Sequence, residues 1–183
     1  MLHTRIHTHT YIHTYIHTYI HAINIKFQDE IRAKKPVGIY WLQSFAAKTF
    51  GVEEISSYRI PSFLSAFITV IFLALITRLI FSFEQSLLIT LFFASSFIFI
   101  SEAHLAKTDS TLLSLICIQQ FLLLKIILAK TKSFKTEYLY PFFLWLSFAF
   151  GVLVKGPVSL AILFSTIVSF CLFQKSFSLL KSI

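Results

Sequence analysis

The sequence predicts an all-α membrane protein, with about five transmembrane helices preceded by an amphipathic helix lying in the bilayer interface. Three observations lead there. Hydrophobic residues make up 56% of the chain and charged ones 13%, where soluble domains carry about a quarter charged. Uncharged stretches run over 60–77, 85–101, 110–124, 138–154 and 156–174, each near the roughly 17–25 residues that a helix needs to cross a bilayer. These stretches are continuous rather than alternating in polarity, which selects helices over a β-barrel.

Residues 1–25 are low-complexity and do not read as a domain. From Ile6 to His21 they repeat Ile-His-Thr-Tyr with one slip at His9, and the tetranucleotide ATAC read through as protein encodes that tetrapeptide. His13, His17 and His21 would share one face of a helix, as metal ligands can. However, residues 1–25 hold no Asp or Glu to serve as the carboxylate shell that orients such ligands. The segment also lacks the apolar core of a signal peptide.

Residues 26–59 read as a polar loop followed by an interfacial helix. The uncharged stretch 36–47 is too short to span. Tyr40, Trp41 and Phe45 fall on one helical face, and aromatic rings favour the headgroup level. Residues 60–183 then hold the bundle. Pro61 is expected in the first turn of the first span, where a missing N–H is harmless. The third span is expected to run past Lys125 to about Ala129, with the lysine snorkelling to the headgroups. Cys117 and Cys171 fall inside spans and read as small core residues.

The net charge of +8 does not point to nucleic acid, because the basic residues sit between spans. Alternating the spans divides the connections into two sets. The set containing residues 1–59 has nine basic residues and the other has seven. Restricted to loops between spans plus the tail, the count is two against seven, which places the Lys-Pro segment outside and "KTKSFK" in the cytoplasm. The front segment opposes that orientation unless another span precedes it, so the expectation is a chain that lacks a first helix.

Four motifs occur in order: "KKPVGIYWLQSFAAKTFGV", "YRIPS", "AHLAKTDSTL" and "GVLVKGPVSL". Together they resemble the polyprenyl-phosphate-dependent membrane glycosyltransferases, a family that includes protein O-mannosyltransferases and the lipid A aminoarabinose transferase. The resemblance covers about Lys26 to Phe173. It implies part of a GT-C-type bundle in the bacterial cytoplasmic membrane with its motif-bearing loops on the outer face. It also implies transfer of a sugar from a polyprenyl-phosphate donor to a lipid or protein acceptor, with membrane lipids as surroundings. The implied substrate-binding residues are Lys35, Arg59, Asp109 and Lys155, and the bases suit a leaving group that departs as a phosphate.

The resemblance also implies an acidic general base some 25–30 residues ahead of the Lys-Pro step, where this chain has only the repeat. Asp29 and Glu30 are the nearest carboxylates, five or six residues ahead of Lys35. The expectation is therefore a fragment truncated at both ends and inactive alone. No cofactor is certain. Some relatives are metal-assisted and imply a divalent metal, but His104 is a lone loop histidine. The rival from another class is a small transporter or scaffold subunit, which would place ionisable residues inside spans. Here the in-span polar pair is Gln119-Gln120, which reads as a bridge between helices.

Overall fold

A computed structural model of the protein describes residues 26–27, 30–31, 36–51, 54–129 and 133–174. The histidine repeat, Asp29 and Lys35 lie outside the described residues. The first described residues form a two-stranded antiparallel ladder within the segment read as a loop, β1 (Lys26–Phe27) and β2 (Glu30–Ile31), with Lys26 opposite Ile31.

Helix α1 (Gly38–Phe50) starts just after Pro36, a residue whose fixed φ suits a helix entry. Its inner face is Ile39, Gln43, Ala46 and Ala47, while Trp41, Leu42 and Phe45 are exposed. Of the expected aromatic face, Trp41 and Phe45 point outward and Tyr40 is half-buried. Gly51, at φ 117°, ends the helix in backbone that favours glycine.

Helix α2 (Ile55–Ile80) has 26 residues, roughly 39 Å of helix. It starts five residues before the expected span, so Pro61 lies in its second turn and not its first. The missing N–H leaves the Ser57 carbonyl without its helical donor, and the Ser57 hydroxyl is buried without a partner among the described residues. The buried face of α2 is mostly hydroxyls (Ser57, Ser62, Ser65, Thr69 and Thr77), whereas Phe63, Leu64, Phe67 and Ile71 point outward. That inversion suits a solvent as apolar as leucine, in which hydroxyl bonds and close approach hold helices together.

The second expected span is broken. A capping box, Ser82 with Gln85, starts α3 (Phe83–Ala94), and α4 (Phe97–His104) follows at a 58° bend. Ser95 and Ser96 form the break. The Ser95 hydroxyl bonds to the Phe92 carbonyl at 3.0 Å, competing with the helical ladder as serine does at kinks.

Helix α5 (Thr108–Ile127) stops two residues short of the expected Ala129. A π-helical turn, Lys135–Leu139, leads into α6 (Tyr140–Lys155), and α7 (Pro157–Gln174) follows after Gly156. Three helices are individually long and apolar enough to span, and the bent α3–α4 pair makes a fourth. Helix α7, in the place of the fifth expected span, is a shorter apolar helix. The protein is a multi-pass helical membrane protein.

Helix α5 is the centre of the bundle and packs against α2 and α6. Leu122, Leu123 and Ile126 of α5 meet Leu144 of α6 and Leu163, Ile167 and Cys171 of α7 in an apolar core. Cys171 is buried in it and Cys117 is half-buried, both as free thiols. Gln119 and Gln120 donate to Ser159 and Thr166 of α7 at 3.2 Å each, so the pair does bridge helices.

Candidate anion site at one end of the bundle

The ends of six helices gather at one pole. Tight contact joins α1 to α6, because a Cβ at Gly38 would lie 2.7 Å from the Leu153 carbonyl oxygen. No side chain fits there. Gln43 of α1 donates to the Ala106 carbonyl at 3.4 Å, and Ser62 of α2 donates to the Lys107 carbonyl at 3.1 Å. Ser110 of α5 returns a bond to the Ser62 carbonyl at 2.8 Å. The extended link 105–107 is therefore clamped from two sides, which fixes the start of α5.

Asp109 stands in that first turn and Lys155 in the last turn of α6. Their side chains form an ion pair that is part-exposed, 45% for Asp109 and 39% for Lys155. Each also sits at the helix end that its charge favours, carboxylate at an N-terminus and ammonium at a C-terminus. Lys107 holds the cap position, no side chain caps, and the Asp109 carboxylate is engaged by Lys155 instead.

Directly after Lys155, Gly156 adopts φ 68°, and a Cβ there would lie 3.9 Å from Pro36 Cγ. The Lys-Pro step thus reaches the Lys155–Gly156 turn. Lys35 is bonded to that proline but lies outside the described residues, so the structure brings its neighbour to the site and says nothing of its side chain. Glu30 is placed through its backbone only, in β2.

Arg59 is on the same pole, in the second turn of α2, exposed and without a hydrogen bond or ion pair among the described residues. Lys107 instead pairs with Glu102 at 3.1 Å. Of the predicted residues, then, Asp109 and Lys155 meet, Arg59 stands apart and solvated, and Lys35 is untested. Sequence reasoning missed Gly38, Gln43 and Ser62. A signal existed for one of them, since Gln43 interrupts the otherwise apolar stripe of Ile39, Ala46 and Ala47.

No three His, Cys, Asp or Glu side chains converge among the described residues. His104 bonds through Nδ1 to the Ile100 carbonyl at 2.8 Å, and both Glu102 and Asp109 hold lysines. These residues do not fit a divalent metal, and no chemistry is assigned through one.

Residues 34–183 match the family described as Dolichyl-phosphate-mannose-protein mannosyltransferase. The chain belongs to that family. An uncharacterized protein of Aquifex aeolicus (strain VF5) is 28% identical over 158 residues, covering 85% of this chain and 30% of that protein. This mannosyltransferase-family chain also shares its fold with a crystal structure of ArnT from Cupriavidus metallidurans in the apo state. There the TM-score is 0.82 at 17% identity, over 94% of this chain and 32% of ArnT. The chain spans about a third of the length of both relatives.

Proposed function

We propose that this chain forms the donor-phosphate site of a membrane glycosyltransferase that uses a polyprenyl-phosphate-linked sugar. The observation that carries the reading is the meeting of Pro36, Gly156, Lys155 and Asp109 at one pole, in a chain of the mannosyltransferase family. Such a donor leaves its lipid phosphate behind, and negative charge grows on that phosphate as the glycosidic bond breaks. A cation fixed beforehand at that place lowers the barrier without reorganising.

Lys155 supplies such a cation. Its ammonium is already out of the apolar core, oriented by Asp109, and open enough to exchange one anionic partner for another. Arg59 adds an unpaired guanidinium on the same pole, suited to bidentate phosphate contact. Lys35, the sequence neighbour of Pro36, is the third base of this reading. We assign the chain donor binding and no complete transfer step, since no described residue is given the role of base toward the acceptor hydroxyl. The pole faces the outside of the cytoplasmic membrane in this reading. The sequence count of basic residues in the loops between spans plus the tail, two against seven, supports that orientation.

The test is a titration of the full chain in lipid nanodiscs with farnesyl phosphate. Saturable binding that Lys155→Ala weakens at least about tenfold is expected, the loss of one charge-assisted bond. Binding that is absent, or that persists unchanged in Lys155→Ala, overturns the reading.

A further inference from the structure

Beneath the candidate site, two polar side chains are completely buried: Gln119 of α5 and Ser159 of α7, each 0% exposed. Gln119 Nε2 donates to Ser159 Oγ at 3.2 Å, and the amide keeps a bond to that hydroxyl in either of its two orientations. Helix α6 presses on both residues. A Cβ at Gly151 would lie 2.8 Å from Ser159 Cβ and 3.4 Å from Gln119 Nε2. Three helices therefore meet at one polar point. Gln119 Oε1 has no partner among the described residues.

Gly151 and Ser159 stand four residues before and four residues after Lys155. Gly151 lies one turn before Lys155 on the same face of α6, and Ser159 lies in the first turn of α7, just past the Gly156 break. The point thus grips both arms of the turn that carries Lys155 and Gly156. An amide with an unpaired oxygen is an expensive way to fill a space that leucine would fill without that penalty.

We propose that Gln119 and Ser159 are positioning residues for Lys155, setting the height and angle of the α6–α7 turn and so the presentation of its ammonium to a lipid phosphate. The last clause rests on the proposed donor site.

The experiment uses the full chain in nanodiscs with isotope-labelled methyl groups on its lysines. The Lys155 resonance is assigned by its loss in Lys155→Arg, and farnesyl phosphate is the titrant. Gln119→Leu and Ser159→Ala are expected to shift the Lys155 resonance and weaken farnesyl phosphate binding about tenfold. The isosteric Gln119→Glu, whose carboxyl can keep a bond to the Ser159 hydroxyl, is expected to retain both.

Gln119→Leu and Ser159→Ala chains that unfold at lower temperature yet keep the native Lys155 resonance and affinity overturn the positioning role. If wild-type chain fails to bind farnesyl phosphate, the donor-site reading falls by itself. The Lys155 resonance then still decides whether the two residues position the turn.

Discussion

Asp109 holds Lys155 across 46 positions of sequence, joining the first turn of α5 to the last turn of α6. Both side chains are more than a third exposed, so solvent screens the pair. Exposed pairs contribute about 0–1 kcal/mol. Asp109→Asn and Lys155→Ala are therefore expected to shift thermal unfolding by only a few degrees. Lys155→Ala alone should remove lipid-phosphate affinity. A large loss of stability in either variant would show that the pair is a structural strut.

The two glycines of the pole make a sharper prediction for folding. Gly38 faces the Leu153 backbone at a distance that no side chain tolerates, and backbone cannot swing aside as a rotamer can. Gly38→Ala should destabilise by about 1–3 kcal/mol, as overpacking does. Gly156→Ala forces a Cβ into a conformation reserved for glycine, at a cost of about 1–3 kcal/mol. Thermal unfolding of both variants in nanodiscs checks the pair, and unchanged midpoints would sink the proposed packing of α1 on the turn.

Ser62 both donates to the Lys107 carbonyl and accepts from Ser110 through its own. Ser62→Ala removes the first bond and leaves the second, so the expected loss is about 0.5–1.5 kcal/mol. Ser110→Ala removes the second and should cost a similar amount. A double-mutant cycle on the two measures their coupling, expected to be small because each hydroxyl bonds to a backbone carbonyl and not to the other hydroxyl.

The chain has two tryptophans, and they test the placement of α1. Trp41 is half-exposed on its outward face. Trp145 lies ten residues into the helical run that starts at Lys135, roughly 15 Å along it. In Trp145→Phe chain, Trp41 fluorescence should be quenched most by lipids brominated near the headgroup. In Trp41→Phe chain, Trp145 should respond most to bromines deep in the acyl chains. The reverse order would mean that α1 is buried in the bilayer.

The helices were legible because an apolar run of spanning length admits few other structures in lipid. Their ends were not. Helix α2 begins at Ile55, with Ser56 and Arg59 exposed and Ser57 and Tyr58 buried in its polar first turns, a length that hydropathy does not report. The break at Ser95-Ser96 was invisible for a related reason, since serine in an apolar run carries no signal as to whether its hydroxyl goes to a neighbour or back to its own helix. Asp109 and Lys155 were each legible as candidates from their motifs. Their pairing was not, because it depends on α5 and α6 packing side by side. The histidine repeat and Lys35 fall outside the described residues.

The hydroxyl-rich face of α2 has a consequence for how the chain is made. Lipid offers those groups nothing, so a newly inserted α2 can satisfy Thr69 and Thr77 only through its own carbonyls, as both still do, to Ser65 and Leu73. Ser62 and Ser65 find their partners in Lys107 and Thr111, more than forty residues later in synthesis. The ribosome thus releases a helix whose adhesive side stays unmatched until the third crossing emerges, and an insertase that shelters that side meanwhile would speed its biogenesis.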